Sequence, residues 1–345
     1  MLFRSPDEIL LDRIELIIAF ITHELSEIRM AIRSTIRRLA AEHPTLTTGL
    51  VDRLIAILLA PEQYEGLHTF ISQILQTDLP NWMVATSIET TWTLLKATTT
   101  ASQELAGKIL QANSLRWAQT LDTEKIAELS HHEILAVRES SWQMLEQILD
   151  RLRQQAGELL AATMVMASKW EDSRQFGFKL FGETLTPAEL TPAIVISICD
   201  SNREDVRKFG RDLVGKCFKQ QDGLEYLLKF SEHPTTDMQL FASQYLEDYA
   251  AGNLERLQEL MPYFTRVLAQ VNRARVAKQR IFAFLNSEAI KTEAAAKIVI
   301  EILTRQSAAI AIGEKARALE TLLKIHQLYP QLSVPILIKP LPMKT

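Results

Sequence analysis

Cysteine is nearly absent. The 345 residues hold only Cys199 and Cys217, with no C-x-x-C spacing, which excludes a disulfide framework and a zinc site built from cysteine pairs. Glycine and proline are also scarce, at 11 and 12 residues, a composition that fits long helices joined by short turns rather than sheets or disorder. Long apolar runs are missing too. Residues 9–21 come closest, but Asp12, Arg13 and Glu15 interrupt them, which argues against a transmembrane helix or a secretory leader. Nor is there an excess of positive charge. With 38 Lys and Arg against 42 Asp and Glu, the formal net charge is −4, so nothing global attracts nucleic acid or anionic lipid. These absences together predict a soluble, cytoplasmic protein that does not associate with membranes.

Recognisable catalytic chemistry is also lacking. No Gly-x-Ser-x-Gly elbow, HExxH pair or paired-carboxylate constellation occurs. The run Gly210-Arg-Asp-Leu-Val-Gly215-Lys216-Cys217 matches phosphate-loop spacing except at its end, where Cys217 replaces the Ser or Thr that ligates magnesium. It also lies inside an amphipathic helical pattern, whose N–H groups are used internally and cannot cradle phosphate. The adjacent His131 and His132 point to different sides of a helix, and no second His or Cys cluster completes a coordination sphere, so a turn is expected there and not a metal site. No cofactor and no metal are expected, and the chain reads as non-catalytic.

A repeating helical unit is present. In residues 200–218 the apolar Val206, Leu213 and Val214 fall at helical spacing, with Glu204 and Asp205 suited to the positive end of the helix dipole. Gly210 costs helix propensity, which predicts close approach of a neighbouring helix. The same pattern returns at Val137-Arg138, Ser173-Arg174 and Met238-Gln239, a step of about 32 to 36 residues, and earlier at Ile28-Arg29. A chain of this length exceeds one compact core. A stack of repeats escapes that limit because each unit touches only its neighbours.

The recurring block resembles the second helix of a HEAT repeat. Arg207 matches the repeat's arginine and Asp200 its aspartate, and the resemblance implies a ladder between successive repeats. The fit is good over residues 137–246, weaker near Ile28 and poor over 50–120. The implied fold is an all-α, armadillo-type solenoid of bacterial kind, a right-handed superhelix of about nine antiparallel helix pairs over residues 1–329. A tail of different character follows at 330–345. Helices are expected over residues 9–21, 50–59, 61–75, 81–96, 103–121 and 187–199, among about eighteen in all. Ser5-Pro6-Asp7-Glu8 reads as a capping box, and Pro61 as a first-turn proline. Residues 79–121 are the least regular, and Trp82, Trp92 and Trp117 there are read as core.

Two basic clusters stand out: Arg203, Arg207, Lys208, Arg211, Lys216 and Lys219, then Arg266, Arg273, Arg275, Lys278 and Arg280, with no acid over 265–280. If one helix runs through the second cluster, Arg266, Arg273 and Arg280 form a stripe of seven-residue period that could face phosphate or an acidic partner. The tail carries Val334, Ile336, Leu337, Ile338 and Leu341 between four prolines that forbid a helix. It reads as a terminal cap or as a docking peptide.

The expected function is a protein–protein interaction scaffold or adaptor. The alternative, a DNA-binding HEAT-like protein using the basic stripes, resembles bacterial HEAT-like DNA binders, glycosylases among them, but has the net charge against it. Residues 231–234 and 271–280 also resemble HEAT-like components of bacterial multi-gene systems that include AAA+ ATPases, which implies a subunit of a larger complex.

Overall fold

A computed structural model describes residues 6–79, 81–217, 219–270, 275–308 and 312–336. All regular structure among them is helical. Ser5 of the expected capping box and Phe218 lie outside the described residues. The chain divides into two compact units, Met1–Lys179 and Leu180–Thr345.

The first unit opens with α1 (Pro6–Asp12) and α2 (Ile14–Ile21), two helices where one is expected. At Arg13 the backbone leaves the helical region, with φ −131° and ψ 69°. α3 (Ser26–Glu42) leads directly into α4 (Pro44–Leu59). Pro44 starts α4 because its missing N–H costs nothing in a first turn, so this helix begins earlier than residue 50. Pro61, by contrast, lies in a loop. Gly66 turns the chain there at φ +86°, and α5 (Leu67–Thr77) starts after it.

The irregular stretch is helical but broken. α6 (Trp82–Ala85) and α7 (Ile88–Leu95) are separated at Thr86 and Ser87, and Ser87 Oγ caps α7 by accepting the Thr90 N–H. α8 (Thr100–Ala112) and α9 (Ser114–Ala118) divide at the buried Asn113, whose amide donates to the carbonyls of Ile109 and Met83. α10 (Thr123–Leu129), α11 (Leu135–Gln147), α12 (Leu149–Gln154), α13 (Ala156–Ala162) with a 3-10 turn behind it, and α14 (Glu171–Lys179) complete the unit. Its core runs through Leu54, Ile71, Leu105, Ile109, Val137 and Leu145, all buried. Trp82 and Trp117 are buried as expected, and Trp92 is half-buried. α8 packs on α5, α7 and α11. At Gly107 a Cβ would lie 2.8 Å from Ala136 Cβ and 3.0 Å from the Val137 backbone nitrogen, so only glycine allows that approach.

The second unit contains α15 (Pro192–Cys199), α16 (Glu204–Cys217), α17 (Gly223–Glu232), α18 (Thr236–Ala250), α19 (Leu254–Glu259), α20 (Met261–Leu268), α21 (Arg275–Ala289), α22 (Glu293–Ser307) and α23 (Ile312–Leu328). The helix expected from residue 187 starts at Pro192, because the Glu189 carboxylate holds the Thr186 N–H and hydroxyl in a turn. α15 packs on α16 and α17, α17 on α18 and α20, and α20 on α21 and α22. α18 packs on α21, and α21 on α23. Gly210 has the packing role expected of it: a Cβ there would sit 2.7 Å from Cys199 Sγ.

One turn recurs five times, each time six residues before a long polar side chain. His23, His132, Ser168, Ser201 and His233 each accept the N–H two residues on, through Nδ1 or Oγ. Their carbonyls accept from Arg29, Arg138, Arg174, Arg207 and Gln239. Each arginine thus satisfies orphan carbonyls next to a helix start while its charge remains available to a neighbour. Arg138 spends that charge on Asp172 at 2.5 Å, with its guanidinium 4.4 Å from the Trp170 ring centre. Farther up the first unit, Arg33 and Arg37 both hold the buried Asp78 at 2.6 Å.

Candidate functional site: a groove in the first unit

The three arginines of the first basic cluster are engaged, while Lys208, Lys216 and Lys219 are exposed. Arg207 is buried and lies 2.9 Å from Asp237, and Arg211 reaches the same carboxylate at 2.8 Å. Arg203 lies 3.7 Å from Asp205, and Lys208 is exposed. Burial works to raise the Asp237 pKa, but hydrogen bonds from Arg207, Thr235 and Arg211 overcome it and hold the carboxyl well below the usual range. The acid paired with Arg207 is therefore Asp237 and not Asp200. Asp200 instead stands 3.5 Å from His233 Nε2. Asp237 is supplied by the first turn of the next hairpin's second helix, α18.

The second cluster is not carried on one continuous helix. α20 ends at Leu268 with Ala269 as its cap, and α21 begins at Arg275. Arg266 and Arg280 are on different helices, and Arg273 lies outside the described residues. Arg266 is paired with Glu232 at 2.6 Å, an acid supplied by α17 and invisible in the local sequence. Arg280 is exposed. A groove of about 430 Å³ beside Arg266 also carries Glu301 and Arg305, so its charges are mixed.

The phosphate-loop-like run is part of α16, with Cys217 buried near its end. Burial raises the Cys217 thiol and pushes the Cys199 thiol up to about 12, so neither is a ready nucleophile. His131 contacts the Met164 carbonyl, and His132 belongs to the recurring turn. Of the tail residues, Val334 and Ile336 are half-buried, while Leu337, Ile338 and Leu341 lie outside the described residues.

A further concavity is one the sequence did not single out. A groove of about 620 Å³ lies where the end of α3 and one side of α4 face α6 and α7. Val51, Ile55 and Trp82 form its apolar floor, and Trp82 is fixed by its indole N–H donating to the Leu75 carbonyl at 2.6 Å. Small residues such as Ala41 and Ala85 leave the space open. Most hydroxyls at the edge are satisfied internally: Thr47 donates to the Ala40 carbonyl and Thr86 to the Trp82 carbonyl. Asp52 is the one ionised side chain in the lining. Asn81, at φ +57°, turns the chain into α6 and so sets the groove's far wall.

This arrangement suits recognition more than catalysis: an apolar floor, a polar edge and a single charge, with no convergent titratable groups. Among the described residues no group of three His, Cys, Asp or Glu is placed to hold a metal ion, and no helix is long and apolar enough to cross a membrane. In comparisons with known proteins, no family model matches the chain and no curated protein matches it.

Proposed function

We propose that the chain is a HEAT-like α-solenoid of antiparallel helix pairs, wound as a right-handed superhelix, that serves as a non-catalytic scaffold or adaptor for a protein partner. The observation that carries this reading is the recurring turn. Five hairpins repeat one hydrogen-bond pattern; Arg138–Asp172 joins the His132 turn to the Ser168 turn in the first unit, and Arg207–Asp237 joins the Ser201 turn to the His233 turn in the second. A stack of like hairpins needs such neighbour terms, because no repeat buries its apolar face alone. The groove on α4, α6 and α7 adds a place for anchoring side chains.

The DNA-binding reading stands second. Its first stripe is partly spent, since Arg207 and Arg211 are held by Asp237, and affinity for phosphate scales with cations free to displace counterions. Capture from the native host with the full chain, at low salt and at about 0.5 M salt, separates the two. A protein partner retained at high salt and lost with Ala85→Arg in the groove is the expected result. Recovery of nucleic acid alone, released by salt and indifferent to Ala85→Arg, would put the DNA reading in its place.

A further inference from the structure

The turn at His23 differs from those at His132 and Ser201 in what its arginine holds. Arg29, Arg138 and Arg207 are each the fourth residue of a helix, α3, α11 and α16, and each sends Nη1 back to the carbonyl six residues before it. The other edge of the guanidinium takes a carboxylate in two of the three: Asp172 receives Nε and Nη2 of Arg138, and Asp237 receives Nε of Arg207. Both acids are the second residue of the next hairpin's second helix, α14 and α18. In α5 that position is His68, whose ring turns to the Thr99 hydroxyl at 3.0 Å. Arg29 therefore has no acid at this place in the pattern, and its Nε is buried without a hydrogen-bond partner.

Arg29 is half-buried, with the Tyr64 and Phe70 ring centres 5.2 and 5.3 Å from its guanidinium carbon. Leu25, one turn before it on the same side of α3, is 56% exposed. Acids of its own chain are close in sequence but do not engage it: Glu62 holds the His68 N–H, while Glu24, Glu27 and Glu65 are exposed and make no ion pair with Arg29. Neighbouring cations are spent, Arg33 and Arg37 on Asp78. Four carboxylates around one guanidinium that lacks an acid repel a phosphate dianion more than a single carboxylate, and the planar Nε–Nη2 fork matches a carboxylate in shape. The chain itself shows how such a group is delivered. Trp170, two residues before Asp172, lies 4.4 Å from the Arg138 guanidinium, so an acid with an apolar side chain beside it fits this kind of edge.

We propose that the Nε–Nη2 edge of Arg29 is the docking point for an Asp or Glu side chain of a protein partner, with an apolar neighbour of that acid covering Leu25. The proposal rests on the scaffold reading and names the chemistry by which its partner is held. The partner's acid does from outside what Asp172 and Asp237 do from within.

Fluorescence anisotropy of a labelled peptide of residues 168–180, which carries Trp170 and Asp172, titrated with the full chain tests it. Binding should weaken about tenfold when the peptide carries Asp172→Asn and about tenfold when the protein carries Arg29→Gln, with no further loss when the two are combined. Gln239 holds the corresponding carbonyl in α18, so Arg29→Gln keeps the turn. Arg29→Lys keeps the charge without the fork and should recover little of the binding. His68→Asp supplies an acid at the ladder position and should abolish binding; should it fail to fold, the Arg29 and Asp172 variants still decide. Absence of binding, equal weakening by Asp172→Asn on the unaltered and Arg29→Gln chains, or displacement by acetate at the peptide's own concentration overturns the proposal. Binding that appears only with Glu65→Gln overturns it too, since Arg29 would then be held by its own chain. In capture from the native host, a partner kept by Arg29→Gln and lost with Ala85→Arg removes this site and leaves the scaffold reading, whereas capture of no protein removes both.

Discussion

His132 and His233 act as hydrogen-bond acceptors in two of the five recurring turns, which requires an unprotonated Nδ1. Burial lowers the pKa of both. Glu133 and the Leu95 carbonyl oppose this at His132, where Arg138 assists; Asp200 and Asp237 oppose it at His233, where Arg207 assists. A histidine whose folded pKa lies below its unfolded value, about 6.5, stabilises fully above that value. The contribution is lost as pH falls through the folded pKa. Stability measured by urea denaturation should therefore decline from about pH 7 toward about pH 5. Ser168 and Ser201 fill the same position without titrating, so His132→Ser with His233→Ser should flatten that decline; an unchanged slope would refute this account. At the neighbouring ion pair, Asp237→Asn leaves Arg207 buried with less compensation and should cost about 2 kcal/mol. Exposed Lys208→Ala should change stability by about 0.5 kcal/mol or less. Comparable losses from the two variants would show that the cluster is not organised around Asp237.

Among helices, the decisive contact is the one between α8 and α11 at Gly107. Alanine there would gain about 1 kcal/mol of helix propensity. The new Cβ would meet the backbone of Ala136 and Val137, which cannot rotate away, and overpacking costs about 1–3 kcal/mol. The steric term wins, so Gly107→Ala should lower the denaturation midpoint; a rise would mean that α11 shifts at little cost. Amphipathic periodicity located nearly every helix, because burial of one face dictates the spacing of apolar residues. It did not locate the breaks at Arg13, Ser87 and Asn113. Those depend on side chains that bond to backbone, locally at Ser87 and from a different helix at Asn113, and on an unfavourable dihedral at Arg13.

For the whole molecule, the solenoid reading makes a claim about dimensions. A compact 345-residue protein would have a radius of gyration of about 20 Å. Small-angle scattering from the monomeric chain should give a clearly larger value, and about 20 Å would rule the elongated arrangement out. The net charge of −4 acts at the same scale. Together with the internal use of Arg207 and Arg211, it leads us to expect no retention of non-specific duplex DNA at about 0.15 M salt; retention that falls steeply with salt and with Arg280→Ala would contradict this.

The amino-acid sequence by itself determined the helical class, the 32-to-36-residue step and the need for glycine at position 210, because these follow from periodicity and from the absence of sheet and disulfide signals. Ladder partners are a matter of distance in space. Arg207 has Asp200 nearby in sequence but Asp237 nearby in the structure, and Arg266 finds Glu232 on another helix. The groove was illegible for the same reason. Ala41, Thr47 and Ala85 are unremarkable along the chain, and they leave a space only when α4 and the α6–α7 break face each other. Local pattern fixes which residues are helical and which face is apolar, while the packing of those faces decides which charges are spent on one another.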